Sequence, residues 1–252
     1  MEAIVAALAE QQDELAGLLS ELEGPDWQRP SRCEGWTVAD VVLHLAQTNE
    51  LAVASAGGGF SQALGALSDG AAGPAGSVDD GAALMVERER GQPGAAVAAR
   101  WQAGAGALCQ VLRGCDPHVR VAWVAGDLSA RTLATTRLAE TWIHTGDVAA
   151  ALRITPKPAD RLWHIARLAW RTLPYAFARE RRGLAGPVAF RLRGPGGDAW
   201  DFLPDQEPVT TVRGDATELC LVAARRVDPH DTGLRGEGPD SRAVLELVRT
   251  YA

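Results

Sequence analysis

Apolar residues recur every three or four positions through the first half of the chain, which predicts a series of amphipathic helices. Polar and acidic residues fill the positions between them. Thr37 and Ser129 stand where two of these helices should begin, and Asp40 at the third position after Thr37 suggests a capping box. The predicted helices span about 2–23, 38–56, 79–114 and 130–152.

The segments between these helices carry turn-forming or small residues. Residues 24–36 are rich in proline and glycine, so a loop is predicted there. Residues 56–77 are small and polar, which predicts a flexible loop with one helical turn near 61–67. An extended connection is predicted over 118–129. Together these segments suggest four helices with connections of uneven length.

A pattern with two prolines, "RITPKPA" at 153–159, interrupts the helical periodicity, and we place the domain boundary there. The two predicted domains are residues 1–153 and 154–252. The second should be a small α+β unit. Its predicted elements are a helix at 159–180, strands within 187–194, 198–204 and 208–214, a helix at 216–226 capped by Asp215, and a final helix at 239–251.

The composition is that of an ordinary soluble protein, with 46% apolar and 23% charged residues. The net charge of −7 argues against nucleic acid or an anionic membrane as a partner. Acidic residues stand near the N-terminus where a signal peptide has basic ones, and no apolar run approaches the roughly 18 residues of a membrane span. We therefore expect a cytoplasmic protein.

The cysteines give no thiol-rich metal motif, because none of them forms a C-x-x-C pair. In a reducing cytosol they should serve as small buried apolar residues. They are Cys33, Cys109, Cys115 and Cys220.

The fourth predicted helix places Glu140 and His144 four residues apart, so both side chains point from one face. His44 lies at the edge of the apolar face of the second helix and could meet them. Two imidazoles and one carboxylate suit a divalent ion such as zinc. Three protein ligands would leave positions open for substrate, as in catalytic metal sites.

Simpler interpretations stay open at this point. Each histidine could be a hydrogen-bonded core residue, and Glu140 could be paired with Arg137 one turn earlier. Asp147 could orient a ligand, although we favour a solvated residue near the helix end. Cys33 could act as a nucleophile, but no histidine is adjacent to it in the sequence. Trp36 and Trp142 are interpreted as packing residues rather than as a substrate platform.

Three segments carry a resemblance to a known family. "SRCEGWTVADVVLHLA" (31–46), "LAETWIHTGDVAAAL" (138–152) and "VRGDATELCLVAARR" (212–226) resemble segments of the mycothiol-dependent maleylpyruvate isomerase family, within the wider DinB-like group. The resemblance covers nearly the whole chain in order and spacing. It implies a mainly α protein, in which a DinB-like four-helix bundle is followed by a small α+β C-terminal domain.

The resemblance also implies a divalent metal, usually zinc, held by His44, Glu140 and His144. An arginine of the family that faces the active site falls on Arg226, with Arg225 adjacent. The resemblance supports the assignment of the site residues more strongly than the assignment of a substrate, because the chain looks closer to an actinobacterial branch than to the founding isomerase.

Three functions remain to be compared. The first is a metal-dependent enzyme that works with a small thiol such as mycothiol. It would either transfer the thiol to an electrophilic small molecule or use the thiol to isomerise that molecule. The second is a thiol-independent Lewis-acid hydrolase, lyase or cyclase of secondary metabolism. The third is a non-enzymatic small-molecule-binding or stress-response protein. Thiol dependence of turnover separates the first two, and tight binding without product identifies the third.

Overall fold

The computed structural model describes residues 1–68 and 77–250, which divide into two compact units, Met1–Pro156 and Lys157–Ala252. The division falls within the proline-containing segment at 153–159. The preceding helix ends at Ala151, and Arg153, the first residue of the segment, adopts a left-handed φ of 62°. Two prolines follow and cannot donate to a helical ladder.

The first unit contains a four-helix bundle with shorter elements between the second and third helices of the bundle. The helices are α1 (Glu2–Ser20), α2 (Val38–Ala56), α3 (Phe60–Ser68), α4 (Val78–Glu89), α5 (Gly94–Gly114) and α6 (Ala130–Ala151). Helix α2 packs between α5 and α6, and α1 contacts the same two helices. The mainly α architecture predicted from the sequence is confirmed.

Local capping fixes where the two helices with candidate ligands begin. The Thr37 hydroxyl accepts from the backbone N–H of Asp40 at 3.3 Å, and the Asp40 carboxylate accepts from the backbone N–H of Thr37 at 2.9 Å. This reciprocal pair is the predicted capping box of α2. Ser129 accepts from the backbone N–H of Thr132 at 3.1 Å and caps α6, also as predicted.

Two predictions for the segment between α2 and α6 need correction. The single helix predicted over 79–114 is wrong, since α4 ends at Glu89 and α5 begins at Gly94. Gly91 adopts a φ of 91° and Pro93 lacks an N–H, so the helix cannot run through. The predicted turn near 61–67 is the longer helix α3, and residues 69–76 of the predicted loop lie outside the described residues.

The extended connection before α6 is a short antiparallel hairpin. Strand β1 (Arg120–Val121) pairs with β2 (Leu128–Ser129). Within the predicted loop at 24–36, residues Gly24–Gln28 form one 3₁₀ turn.

The second unit is an α+β unit with a four-stranded sheet. The helices are α7 (Leu162–Arg171), α8 (Leu173–Arg179), α9 (Ala216–Ala223) and α10 (Ser241–Leu247); the strands are β3 (Val188–Arg193), β4 (Ala199–Phe202), β5 (Thr210–Asp215) and β6 (Arg235–Glu237). The strand order in the sheet is β4-β3-β5-β6, in which β3 and β5 are parallel and the other pairs are antiparallel.

The predictions for this unit are confirmed in part. The hairpin of β3 and β4 and the third strand are present, and Asp215 caps α9 by accepting from two backbone N–H groups. The helix predicted over 159–180 is two helices that meet at Thr172. Strand β6 was not predicted, because its three residues show no apolar alternation.

Among residues 1–68 and 77–250, no helix has both the length and the apolar character needed to cross a membrane.

Candidate metal centre

The three predicted ligands meet between α2 and α6. His44 projects from the second turn of α2, and Glu140 and His144 project from successive turns of α6. The Oε2 atom of Glu140 lies 3.6 Å from Nε2 of His44 and 3.6 Å from Nε2 of His144. The two imidazole rings are 5.0 Å apart and nearly perpendicular, and one ligand atom from each residue lies within 4.8 Å of the others.

These separations fit a shared cation better than direct hydrogen bonds. A nitrogen–oxygen distance of 3.6 Å exceeds the range of a good hydrogen bond. Two ligand atoms at about 2.0–2.1 Å from a tetrahedral zinc would lie about 3.4 Å apart. Two imidazole nitrogens and a carboxylate oxygen are also a donor set that zinc accepts. The residues present therefore fit a divalent metal.

Asp147 supports His144 from the opposite side of its ring. Its Oδ2 atom lies 3.0 Å from Nδ1 of His144, and the residue is fully buried at 0% exposure. The prediction that Asp147 is solvated is therefore wrong. A carboxylate at Nδ1 favours the tautomer that leaves Nε2 free to bind a metal, as is common around metal-bound histidines.

The Cys33 thiol contacts the same carboxylate. Its Sγ donates to Oδ2 of Asp147 at 3.4 Å and lies 3.9 Å from Nδ1 of His144. The half-buried thiol thus packs behind His144, in contact with the Asp147 carboxylate. This contact was not predicted, because it depends on how the loop before α2 folds back.

The charges around the three ligands favour a cation. Burial would raise the pKa of Glu140, but the imidazoles of His144 and His44 outweigh it and hold this pKa well below its usual value. Burial lowers the pKa of His44, which is therefore neutral at pH 7. Burial acts in the same direction on His144, yet Asp147, Cys33 and Glu140 hold its pKa well above the usual value. The carboxylates on both sides of His144 thus attract positive charge to it.

Arg137 does not form the ion pair with Glu140 that the simpler interpretation proposed, although its charge helps to lower the pKa of that carboxyl. The side chain is buried at 1% exposure, and its Nη2 donates instead to the hydroxyl of Thr48 at 2.9 Å. In the described part of the chain no carboxylate oxygen lies within 4.0 Å of the Arg137 guanidinium. Glu140 is thus left available to a cation.

The two tryptophans close to the candidate ligands in the sequence are both half-buried. Trp36 is half-buried, packs against the bundle core and places its ring 5.3 Å from the imidazole of His44. Trp142 is half-buried on α6. The contacts of Trp36 agree with the packing role predicted for it.

The predicted catalytic arginine belongs to the second unit. Arg226 follows α9, is half-buried, and donates from Nη1 to the backbone oxygen of Ala224 at 3.0 Å. Arg225 is exposed, has a φ of 59° and donates to the backbone oxygen of Glu246 at 2.8 Å. The catalytic role of Arg226 stays a prediction.

Comparison with known proteins shows which family the chain belongs to. The model of the mycothiol maleylpyruvate isomerase N-terminal domain matches residues 8–149, which include all three candidate ligands. The chain belongs to the mycothiol maleylpyruvate isomerase family. This family member is 33% identical over 251 residues to an uncharacterized protein of Mycobacterium tuberculosis, recorded in two strains, covering 98% of this chain and 95% of that protein.

Solved structures share the fold of this mycothiol maleylpyruvate isomerase family member. A crystal structure of the mycothiol-dependent maleylpyruvate isomerase superposes with a TM-score of 0.61 at 18% identity, covering 95% of both chains. A histidine-to-alanine mutant of that enzyme gives a TM-score of 0.60 at 18% identity and the same coverage. The likeness establishes a common fold.

Proposed function

We propose that this protein is a metal-dependent enzyme that uses a small thiol of the mycothiol type. Its reaction would be isomerisation of an electrophilic small molecule, or transfer of the thiol to it. The observation that carries the proposal is the convergence of His44, Glu140 and His144 on one point, with Asp147 behind His144. Membership of a family named for a mycothiol-dependent isomerase supports the thiol.

His44, Glu140 and His144 would hold the metal, for which we propose zinc. The charge of such a cation would stabilise the thiolate of the bound thiol at neutral pH. His44 offers a neutral Nε2 because burial lowers its pKa. Glu140 offers a carboxylate whose pKa lies well below the usual value. Two imidazoles and one carboxylate leave coordination positions for a thiol and a substrate.

Asp147 would hold His144 in one orientation and one tautomer throughout the reaction. It does so by accepting the Nδ1 proton at 3.0 Å, which directs Nε2 towards Glu140. The cytoplasm, where small thiols are kept reduced, is the proposed compartment.

For Arg226 we propose, from the family resemblance alone, that it binds a carboxylate of the substrate or thiol. Arg226→Ala should lower kcat/KM for an anionic substrate and leave the metal content unchanged. The neighbouring Arg225→Ala is the matched control and should retain activity. If only Arg225→Ala loses activity, the assignment moves to Arg225.

The first experiment combines elemental analysis with a thiol-transfer assay on one preparation. We expect about one metal ion per chain and turnover of a generic electrophile that requires mycothiol. Metal with turnover that needs no thiol would favour the Lewis-acid enzyme instead. Tight ligand binding without product would favour the binding protein. A preparation that takes up no metal would overturn the proposal.

A further inference from the structure

Three arginines stand side by side on the outward face of the sheet in the second unit. Arg191 of β3 lies directly opposite Arg213 of β5, and Arg213 lies directly opposite Arg235 of β6. Residues directly opposite one another on paired strands project from the same face of a sheet. All three arginines are exposed, whereas the inward residues next to them, Leu192 and Val212, are buried. Arg191, Arg213 and Arg235 form what we call the arginine row.

The protein itself leaves the charge of the arginine row unbalanced. In the part of the chain that the structure describes, Arg191 and Arg213 have neither an ion pair nor a hydrogen bond, although Asp201 of β4 stands opposite Arg191. Arg235 donates to two backbone oxygens. Like charges directly opposite each other on neighbouring strands are destabilising. An anion placed across the three side chains would remove that repulsion.

The next outward position of β3 differs from the arginine row in having a counterion. Arg193 stands opposite Asp215, and its Nη2 lies 3.7 Å from a carboxylate oxygen of that residue. The chain as a whole carries a net charge of −7, yet basic residues outnumber acidic ones in the second unit. The arginine row is therefore a local concentration of positive charge in an acidic protein.

The dimensions of the arginine row fit a short linear anion. Neighbouring strands lie about 4.8 Å apart, so the three side chains leave the sheet along a line of about 10 Å. Acidic residues border this line, because Asp201 follows Arg191 on the neighbouring strand β4 and Glu237 lies two residues from Arg235 on the same face of β6. A longer polyanion would have to pass over these carboxylates.

Linked phosphoryl groups have the charge spacing and the chemistry that the arginine row requires. A guanidinium binds phosphate oxygens through two parallel N–H groups, and a chain of phosphoryl groups carries negative charge along its whole length. A nucleic acid strand fits less well, since its bases stack on aromatic side chains. The outward-facing positions of β3, β4, β5 and β6, all of which the structure describes, hold no aromatic residue.

We propose that the arginine row binds a linear polyphosphate group, such as that of inorganic tripolyphosphate or of a nucleoside triphosphate. The long arginine side chains converge on its successive phosphoryl groups, and the anion supplies the counterion that the sheet lacks. The site lies in the second unit and uses none of the candidate metal ligands. It therefore goes beyond the proposed function and does not depend on it.

The test measures binding of inorganic tripolyphosphate to the full chain by calorimetry at physiological ionic strength. Arg213→Gln removes the central charge of the arginine row. Arg193→Gln is the matched control, since it removes one charge from the same outward face outside the row. We expect the affinity to fall about 10- to 100-fold in Arg213→Gln, as for loss of a hydrogen bond between charged groups. Arg193→Gln should stay within about twofold of the unaltered protein, because salt screens exposed charges that do not touch the ligand.

A second measurement separates loss of binding from loss of the fold. Tripolyphosphate should raise the Tm of the unaltered protein and of Arg193→Gln by mass action, and should raise that of Arg213→Gln much less. Without ligand, Arg213→Gln should be at least as stable as the unaltered protein, because it removes repulsion between like charges. Heat from metal chelated by tripolyphosphate is common to both variants, since neither changes a candidate ligand. Equal losses of affinity in the two variants, or an unchanged affinity in Arg213→Gln, would overturn the proposal.

A comparison of ligands identifies the source of the polyphosphate group. Adenosine triphosphate that binds as tightly as tripolyphosphate assigns the site to nucleotides, and binding of tripolyphosphate alone assigns it to inorganic polyphosphate. Adenosine monophosphate or a single-stranded oligonucleotide that binds more tightly than either would overturn the proposal.

The candidate metal centre is tested separately from the arginine row. A folded His44→Ala protein should bind tripolyphosphate as the unaltered protein does, and this site then stands even if the proposed function fails. Loss of tripolyphosphate binding in His44→Ala would place the anion at the metal and overturn the proposal.

Discussion

Two clusters of charged residues in the first unit differ in whether their side chains form close hydrogen bonds with one another. One joins Arg100 of α5 to Glu50 of α2 and Glu89 of α4. The guanidinium binds both oxygens of Glu50 at 2.7 and 2.8 Å and one oxygen of Glu89 at 2.6 Å. Every nitrogen of that guanidinium has a carboxylate partner, so this cluster is complete.

The candidate metal centre has the opposite character. His44, Glu140 and His144 converge to 3.6 Å without forming good hydrogen bonds to one another. The first cluster is partly exposed and its charged groups pair directly with one another, which is typical of ion pairs that link helices. The second is more deeply buried and leaves its donor atoms directed at a common point. The difference shows that contact distances can distinguish a structural cluster from one that needs a ligand.

The largest expected effect is the loss of metal in His44→Ala. Removing one of three ligands should reduce the metal content from about one ion per chain to near zero and abolish turnover with it. Elemental analysis and the thiol-transfer assay measure both, and circular dichroism checks the fold. Arg100→Met is the control, because Arg100 lies outside the candidate metal centre, and its metal content should match that of the unaltered protein. A folded, active and metal-free His44→Ala protein would contradict the proposed function.

Asp147→Asn should have a smaller effect on the same centre. The amide keeps the shape of the side chain but no longer offers a carboxylate to the Nδ1 proton of His144. Loss of such a partner typically lowers metal affinity about 10- to 100-fold. Competition with a coloured chelator measures the affinity. An unchanged zinc affinity would show that the contact with Asp147 does not orient His144 for binding.

Arg100→Met should affect stability alone. It leaves Glu50 and Glu89 without their shared partner, and the expected loss in free energy of unfolding is about 1 kcal/mol. Urea denaturation measures this loss, with metal content as the control. A large loss of metal in this variant would contradict the separation between the two clusters.

The smallest effect concerns the pH dependence of the Arg100 cluster. Burial would raise the pKa of Glu89, but hydrogen bonds from Arg100 and Gln47 outweigh it and lower this pKa. The stability that this carboxylate contributes is present above its usual pKa of 4.5 and is lost as the pH falls through the lower folded value. The stability difference between the unaltered protein and Arg100→Met should therefore shrink below pH 4.5. A difference that grows in acid would contradict this linkage.

Local sequence signals predicted the parts of the fold that depend on neighbouring residues. The capping box of Thr37 and Asp40 and the cap at Ser129 fixed the starts of α2 and α6, which is why His44 and Glu140 could be placed on their helices. The break between α4 and α5 was missed although Gly91 and Pro93 mark it, because apolar periodicity continues on both sides. Strand β6 depends on pairing with β5, which its own three residues do not reveal.

The convergence of the three candidate ligands was predicted from helical spacing and the family resemblance. Of the contacts around them, the one between Asp147 and His144 was considered but not preferred, and those of Cys33 and Arg137 were not predicted. Asp147 at three residues after His144 carried a usable signal, since that spacing places both on one face of α6. The position of Cys33 depends on the loop before α2, and the reach of Arg137 to Thr48 depends on how α2 and α6 pack. Both contacts depend on tertiary packing, which the neighbouring residues in the sequence do not reveal.

The candidate ligands come from helices that are separated in the chain by α3, α4 and α5. The three donor atoms therefore come together only after α2 and α6 have packed, and an unfolded chain offers a cation no comparable site. A metal held there would favour the folded state, by about 4 kcal/mol at a thousandfold excess over its dissociation constant. The lifetime of this protein against cellular proteases would then follow the supply of free metal, so that scarcity reduces its abundance as well as its activity.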